Sequence, residues 1–149
     1  MPVNTIVPVA LAILYQGDRV LMQLRDDNPN ILYPGHWGLF GGHLEPKEAP
    51  LDGVRREVYE ELGYCPPHLT FFGEYGDPQV HRYIFTGALT CDLQDLVLNE
   101  GQGMDLVPYA SVVAGVHYAQ SLQEKRPLGN IHRRILLDFF AQSRMAAGL

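Results

Sequence analysis

Gly41-Gly42-His43-Leu44-Glu45-Pro46-Lys47-Glu48, followed after seven residues by Arg56-Glu57-Val58-Tyr59-Glu60-Glu61-Leu62-Gly63, is the stretch that decides how this chain reads. The spacing within it predicts a helix over Pro50–Leu62. At about 100° per residue, Leu51, Val54, Val58 and Leu62 fall in one narrow arc, the face a helix turns to a core. Gly63 supplies a C-terminal stop and Pro66-Pro67 prevents continuation. Glu57, Glu60 and Glu61 cluster in a second arc, about 100° wide and well away from the apolar face. Gly53 falls in the same arc, so the surface there is expected to lie low enough for something to approach the backbone. Three carboxylates this close repel one another, and without a cation at least one of them should resist ionising. A hard divalent cation relieves that repulsion, and all-oxygen ligation suits Mg²⁺ or Mn²⁺ rather than zinc. A solvated acidic face is the plainer account of any single Glu-Glu pair.

Outward from this stretch, the N-terminal side reads as a hairpin, Val7–Tyr15 and Arg19–Leu24 around a Gly17-Asp18 turn. Asp26–Gly42 is rich in Gly, Pro and Asn and carries Tyr33, His36, Trp37 and Phe40, which is loop chemistry. On the C-terminal side Thr70–Tyr75, Arg82–Leu89 and the shorter Asp105–Pro108 are rich in strand formers. Asn130–Met145 reads as a second long helix with Ile131, Ile135, Leu136, Phe139 and Phe140 as its apolar stripe, and Ser111–Gln123 as holding a short third helix. Strands mixed with a few helices, without regular strand–helix–strand alternation, point to an α+β fold.

The whole composition narrows the function classes. The chain has 149 residues, about one domain by length, with 46% apolar and 19% charged residues, which excludes a disordered, collagenous or coiled-coil chain. Eleven Lys and Arg against 17 Asp and Glu leave a net charge of −6, so no diffuse basic footprint for a nucleic-acid polymer is expected. An acidic chain that handles anions must do it locally, with metal ions or a few placed cations. Cys65 and Cys91 stand far apart with no zinc-like spacing around them and read as reduced thiols in a cytoplasmic protein. The apolar run Ile6–Leu14 has no basic segment before it and contains Pro8, so it reads as a strand and not a signal peptide. Nothing approaches about 18 apolar residues in a row, so no membrane partner is expected. A homodimer stays open, because exposed and buried apolar strands share one pattern.

The deciding stretch carries a second pattern. Gly42, five residues, Glu48, seven residues, Arg56-Glu57, then Val58, Tyr59, Glu60-Glu61, Leu62, Gly63 and Tyr64 stand at fixed spacing. Seven fixed residues arise by chance on the order of once in 10⁸ windows at ordinary residue usage. On these residues the chain resembles the Nudix hydrolases, over the 23 residues from Gly42 to Tyr64 and loosely over nearly its full length. The resemblance implies a single domain over 1–149: a Nudix fold with a mixed sheet between the Pro50–Leu62 and Asn130–Met145 helices (α/β/α). It implies metal-dependent hydrolysis of a nucleoside diphosphate linked to another moiety, with Glu57, Glu60 and Glu61 as ligands and the Gly41 carbonyl as a further one. The Gly-Gly pair would let the loop approach the ion closely. Glu48 can pair with Arg56 and clamp the loop to the helix, with Gly42 and Gly63 completing the structural frame.

Agreement outside the motif lies with the MutT-type branch of that family. Glu100-Gly101-Gln102 resembles the branch's Glu-Gly-Gln loop, which makes Glu100 an extra metal ligand or the general base, or else a plain loop carboxylate. Glu57 and Glu60 are the other candidates for the base. Arg25 resembles a cation that contacts substrate phosphates, or is a solvated strand-end arginine. Asn130 resembles an asparagine that reads the purine edge; an Asn opening a helix is also an ordinary N-cap. Trp37, Tyr33 and Leu39 either stack on a base or pack under the loop. Phe40 stands where the family often has proline, which leaves the metal positions intact and loosens any inference about the base. The implied substrate is a small-molecule nucleotide, a (modified or oxidised) nucleoside triphosphate split to the monophosphate and pyrophosphate. The alternatives are a nucleotide-sugar or ADP-ribose hydrolase, a non-catalytic Nudix-fold nucleotide sensor, and an acidic docking face for a basic partner. The histidines lack a mutual metal-site spacing and none is assigned as a ligand.

Overall fold

The computed structural model describes residues 5–146, which carry nine strands and three α-helices. In chain order they are β1 (Val7–Gln16), β2 (Arg19–Leu24), β3 (Trp37–Gly38), β4 (Phe40–His43), α1 (Pro50–Leu62), β5 (Thr70–Gly76), β6 (Val80–Ala88), β7 (Gly103–Pro108), α2 (Tyr109–Ala114), β8 (Val116–Ala119), β9 (Glu124–Pro127) and α3 (Asn130–Ala146). The class is α+β, with a mixed sheet and helices, as expected. The chain divides into two compact units, Met1–Leu14 with Phe40–Asn99, and Tyr15–Leu39 with Glu100–Leu149.

In the first unit β1 is flanked by β4 and β6, and β6 carries β5 on its other side. β4 runs antiparallel to β1, pairing Val9 with His43 and Ala12 with Phe40. The helix α1 packs on β4 and β6. Its bounds follow from local chemistry. Pro50 occupies the first helical position, where the missing N–H costs nothing, and Asp52 complements the positive end of the helix dipole. Gly63 adopts φ 66° and donates its N–H to the Tyr59 carbonyl, ending the helix. Val54, Val58 and Leu62 are buried along one side, and Ile84 of β6 and Phe40 of β4, the strands α1 packs on, are fully buried as well. Each such aliphatic side chain contributes about 1.5–3 kcal/mol by leaving water.

In the second unit the end of β1 turns through Gly17-Asp18 into β2, pairing Gln16 with Arg19, and β2 pairs with both β3 and β7. The helix α2 packs against α3, β7 and β8. Ile135, Leu136, Phe139 and Phe140 form the buried stripe of α3, with His132 where the sequence pattern places Ile131.

Two expectations are corrected here. Asp26–Gly42 is not loop throughout, because its last residues form β3 and the start of β4. Gly115, at φ 79°, stops the short helix in Ser111–Gln123 after Ala114, and the chain goes on into the hairpin β8–β9. Both cysteines carry free thiols. No helix among the described residues is long and apolar enough to cross a membrane.

Candidate active site

The first unit assembles the motif around the exposed side of α1. β4 brings two glycines there for different reasons. Gly41 has φ 138°, open to glycine alone, and a Cβ on it would run into the Ala10 carbonyl oxygen of the paired strand β1. The close approach leaves the Gly41 N–H free to donate to Glu61 Oε1 at 2.8 Å. Glu61 is only 3% exposed, and a carboxyl group buried that deep needs hydrogen-bond partners such as this one. Gly42 lies flat against Glu57: a Cβ there would stand 2.7 Å from the Glu57 carboxyl carbon.

Arg56 is the hub. Its Nε and Nη2 donate to the two oxygens of Glu48, each at 2.9 Å, in the forked geometry that suits a guanidinium and a carboxylate. Nη2 also donates to the His43 carbonyl at 3.2 Å. Nη1 reaches Glu57 Oε1 at 3.0 Å and Glu60 Oε2 at 3.5 Å. Glu48 receives in addition the Glu45 N–H at 3.0 Å. Arg56 first, then that N–H, holds the Glu48 carboxyl down at about 2, and Glu48 in turn keeps the guanidinium firmly protonated. The loop between β4 and α1 is thereby tied to the helix at the point where the acidic residues project.

Glu57, Glu60 and Glu61 form an all-oxygen donor set, the chemistry that suits a hard divalent cation. Among the described residues no three His, Cys, Asp or Glu side chains converge as a metal-holding group. Glu57 and Glu60 lean on Arg56, while Glu61 turns inward to the Gly41 N–H. The side chain of Glu60 is 58% exposed and that of Glu57 18%. The expected low surface at Gly53 is absent. Leu44 and Glu48 cover that glycine, because the clamp draws the loop down onto this side of the helix.

The second unit holds the remaining candidates. Arg25 follows β2 directly; its Nε donates to the Leu32 carbonyl at 2.7 Å and its own carbonyl accepts from Gln102 Nε2 at 2.9 Å. Gln102 also donates its backbone N–H to the Leu24 carbonyl, so the Glu100-Gly101-Gln102 turn is pinned to the end of β2. Glu100 is exposed, and its carboxylate has no partner among the described residues. Asn130 is exposed as the first residue of α3. The N-cap is Gly129, whose carbonyl accepts from Arg133, so the capping account of Asn130 is corrected.

Trp37 and Leu39 are corrected as base-stacking candidates. Trp37 is 2% exposed, donates its indole N–H to the His117 carbonyl at 3.0 Å and meets the His117 ring edge-on. Leu39 is buried and donates its N–H to His132 Nδ1 at 3.1 Å. Both are core. Tyr33 stands half-buried, edge-on to His132. Two supporting residues escape the sequence reading. His132 was signalled by its spacing of three, four and seven to Ile135, Leu136 and Phe139, the register of the buried stripe. Gln102 was visible only as a letter in the Glu-Gly-Gln turn.

Comparison with known proteins fits this arrangement. A NUDIX domain family model matches residues 5–132. The nucleoside triphosphatase NudI of Escherichia fergusonii is 45% identical over 47 residues, 32% of this chain. The match spans 32% of that protein, about a third of its length. Among solved structures, the MutT protein of Methanosarcina mazei Go1 superposes with a TM-score of 0.69 at 20% identity, covering 93% of this chain and 95% of that one. The MutT Nudix hydrolase of Burkholderia pseudomallei gives 0.66 at 18% identity, covering 89% and 96%. At such identities these two speak for the fold alone. With the family matched across most of its length, and with the paired glycines, the Glu48–Arg56 clamp and the three carboxylates around one helix, the chain belongs to the Nudix family.

Proposed function

We propose that this protein is a divalent-metal-dependent hydrolase of phosphoanhydride bonds, with Mg²⁺ or Mn²⁺ as the ion. Its substrate on this reading is a nucleoside triphosphate, ordinary or modified, split to the monophosphate and pyrophosphate. The observation that carries the reading is the trio Glu57, Glu60 and Glu61 on one flank of α1, the first two sharing Arg56 Nη1 and the third held by the Gly41 N–H. Membership of the Nudix family and the likeness to a relative named as a nucleoside triphosphatase support the reaction and the substrate class.

In this mechanism Glu57, Glu60 and Glu61, with the Gly41 carbonyl, would hold the ion. A bound divalent ion would neutralise charge developing on the phosphoryl oxygens and make a bound water more acidic. The chain's residues do the rest. Arg56 and Glu48 keep α1 and its loop in one register, so the carboxylates stay aimed. Glu100, exposed and unpaired, is the candidate base that takes the proton of the attacking water, or else a further ligand. Water adds to one phosphorus of the α–β bridge, the bridging P–O bond breaks with its electron pair going to the departing phosphate group, and the products are the monophosphate and pyrophosphate. Arg25 contributes charge to the phosphates and Asn130 hydrogen bonds to the base edge.

The test incubates purified protein and Mg²⁺ with a panel of nucleoside triphosphates, nucleotide sugars and ADP-ribose, and identifies the released phosphates. Monophosphate and pyrophosphate from triphosphates is the expected outcome. Turnover of nucleotide sugars or ADP-ribose alone would reject the substrate class, and binding without cleavage would make the chain a sensor.

A further inference from the structure

The C-terminal turn of α1 carries two of the three proposed ligands, and its backbone carbonyls are all engaged. A helix leaves its last four carbonyls without intrahelical partners. Here Tyr59 O accepts from Gly63 N at 2.8 Å and Leu62 O from Val97 N at 3.1 Å. The remaining two, those of Glu60 and Glu61, are both held by one residue. Asn99 donates its side-chain amide to Glu60 O and its backbone N–H to Glu61 O, each at 2.9 Å. Since a carbonyl can only accept, the Nδ2 end of the amide must face it. The segment bearing Asn99 is anchored by Leu96, which is buried.

We propose that Asn99 is a positioning residue for the metal site: by gripping the carbonyls of Glu60 and Glu61 it fixes the last turn of α1, and with it the direction in which those two carboxylates project. The inference rests on the reading of Glu60 and Glu61 as ligands. Their side chains diverge by about 100° around the helix, one outward on Arg56 and one inward on Gly41 N–H. A turn that frays or tightens rotates both, and the two can then no longer serve one ion. An amide suits the place because aspartate, of the same length, brings an acceptor to an acceptor. It also adds a negative charge at the negative end of the helix dipole.

The experiment titrates Mn²⁺ into the full chain and reads free Mn²⁺ by its paramagnetic resonance signal, alongside kcat and KM for a nucleoside triphosphate. Thermal unfolding confirms that each variant is folded at the assay temperature. Asn99→Ala is expected to weaken Mn²⁺ binding and lower kcat about three- to tenfold, the scale of one lost hydrogen bond, with KM unchanged. Asn99→Gln, which keeps a donor, restores both. Asn99→Asp gives the same loss and stands in if the alanine variant unfolds. Wild-type Mn²⁺ affinity in folded Asn99→Ala or Asn99→Asp overturns this inference alone. A wild-type protein that takes up no Mn²⁺ overturns the ligand reading, and this inference with it.

Discussion

Gly41 and Gly42 are neighbours in one short strand, yet replacing each with alanine should fail in a different way. At Gly41 the backbone sits at φ 138°, and the added Cβ would meet Ala10 O, with Leu11 Cα at 2.8 Å. Those atoms are backbone of β1, fixed by pairing with β4, so they cannot yield. The unfavourable φ costs on the order of 1–3 kcal/mol and the overpacking about as much again. Together that is roughly 2–6 kcal/mol, or about 6–18 °C in melting temperature at about 3 °C per kcal/mol for a chain this long. At Gly42 the φ carries no such penalty, and the obstacle is the Glu57 carboxylate, 2.7 Å away where ordinary contact begins near 3.4 Å. The end of a flexible side chain can move the missing 0.7 Å. Gly42→Ala should therefore melt within about 3 °C of the wild type. It should still lose about 10²-fold in kcat, because Glu57 is pushed off its position and a misplacement near 1 Å costs that much. Differential scanning fluorimetry and pyrophosphate release with Mg²⁺ measure the two quantities. Full turnover in Gly42→Ala, or a melting loss as large as that of Gly41→Ala, would refute the reasoning.

Glu60→Gln and Glu61→Gln should each lower kcat by about 10²-fold or more with the circular dichroism spectrum unchanged, and if both kept wild-type turnover at saturating Mg²⁺ the ligand assignment would be wrong. The clamp has a pH signature. Glu48 titrates at about 2 in the folded chain against an ordinary 4.5, so its stabilisation is complete above the higher value and lost as pH falls through the lower. The melting gap between wild type and Glu48→Gln should be constant above about pH 5 and close as pH approaches about 2; a gap of equal size at both ends would remove the clamp from the account. Trp37→Phe keeps the buried ring but leaves the His117 carbonyl without its donor, which should cost about 1–3 kcal/mol of stability and leave KM alone. A raised KM at unchanged stability would return Trp37 to the substrate.

The legible parts of the fold were those set by neighbours along the chain. Pro50–Leu62 was read to the residue because its apolar spacing, its initial proline and its terminal glycine all act within a few positions. The hairpin β8–β9 was hidden because Glu124–Pro127 is a polar strand held by backbone pairing and by Arg126, which bonds Asp27 across 99 residues of chain. β4 was hidden for a related reason: its two glycines are poor strand formers, and its partner lies some thirty residues earlier at Val9–Ala12. In the site, helical spacing puts Glu57, Glu60 and Glu61 on one flank, but spacing alone leaves Gly53 bare. Only the folded loop brings Leu44 and Glu48 over that glycine. Trp37 was ambiguous because the same ring serves a core and a base equally well; the Nε1 bond to His117 distinguishes them and has no trace in the letters.

The spacing of the motif follows from a problem that exists before any ion binds. Three crowded carboxylates on one helical flank must be kept aimed, and the chain does this with a backbone N–H, a bare glycine face and one shared guanidinium. Glu61 is drawn inward by a backbone N–H that only a glycine at position 41 can bring so close to β1. Glu57 lies over the bare face of Gly42, with one oxygen on Arg56. Glu60, the most exposed of the three, shares that guanidinium from one helical turn away. Arg56 can serve both only because Glu48 takes its other edge and fixes the plane of the fork. Move Glu48 by one residue and the fork rotates; move the glycines and the N–H and the flat surface change places. Groups that must meet a developing charge gain most when their positions are set in advance. That is why the inner glycine, the clamp and the carboxylates have to be read as one unit, and why the adjacent glycines are predicted to fail so differently.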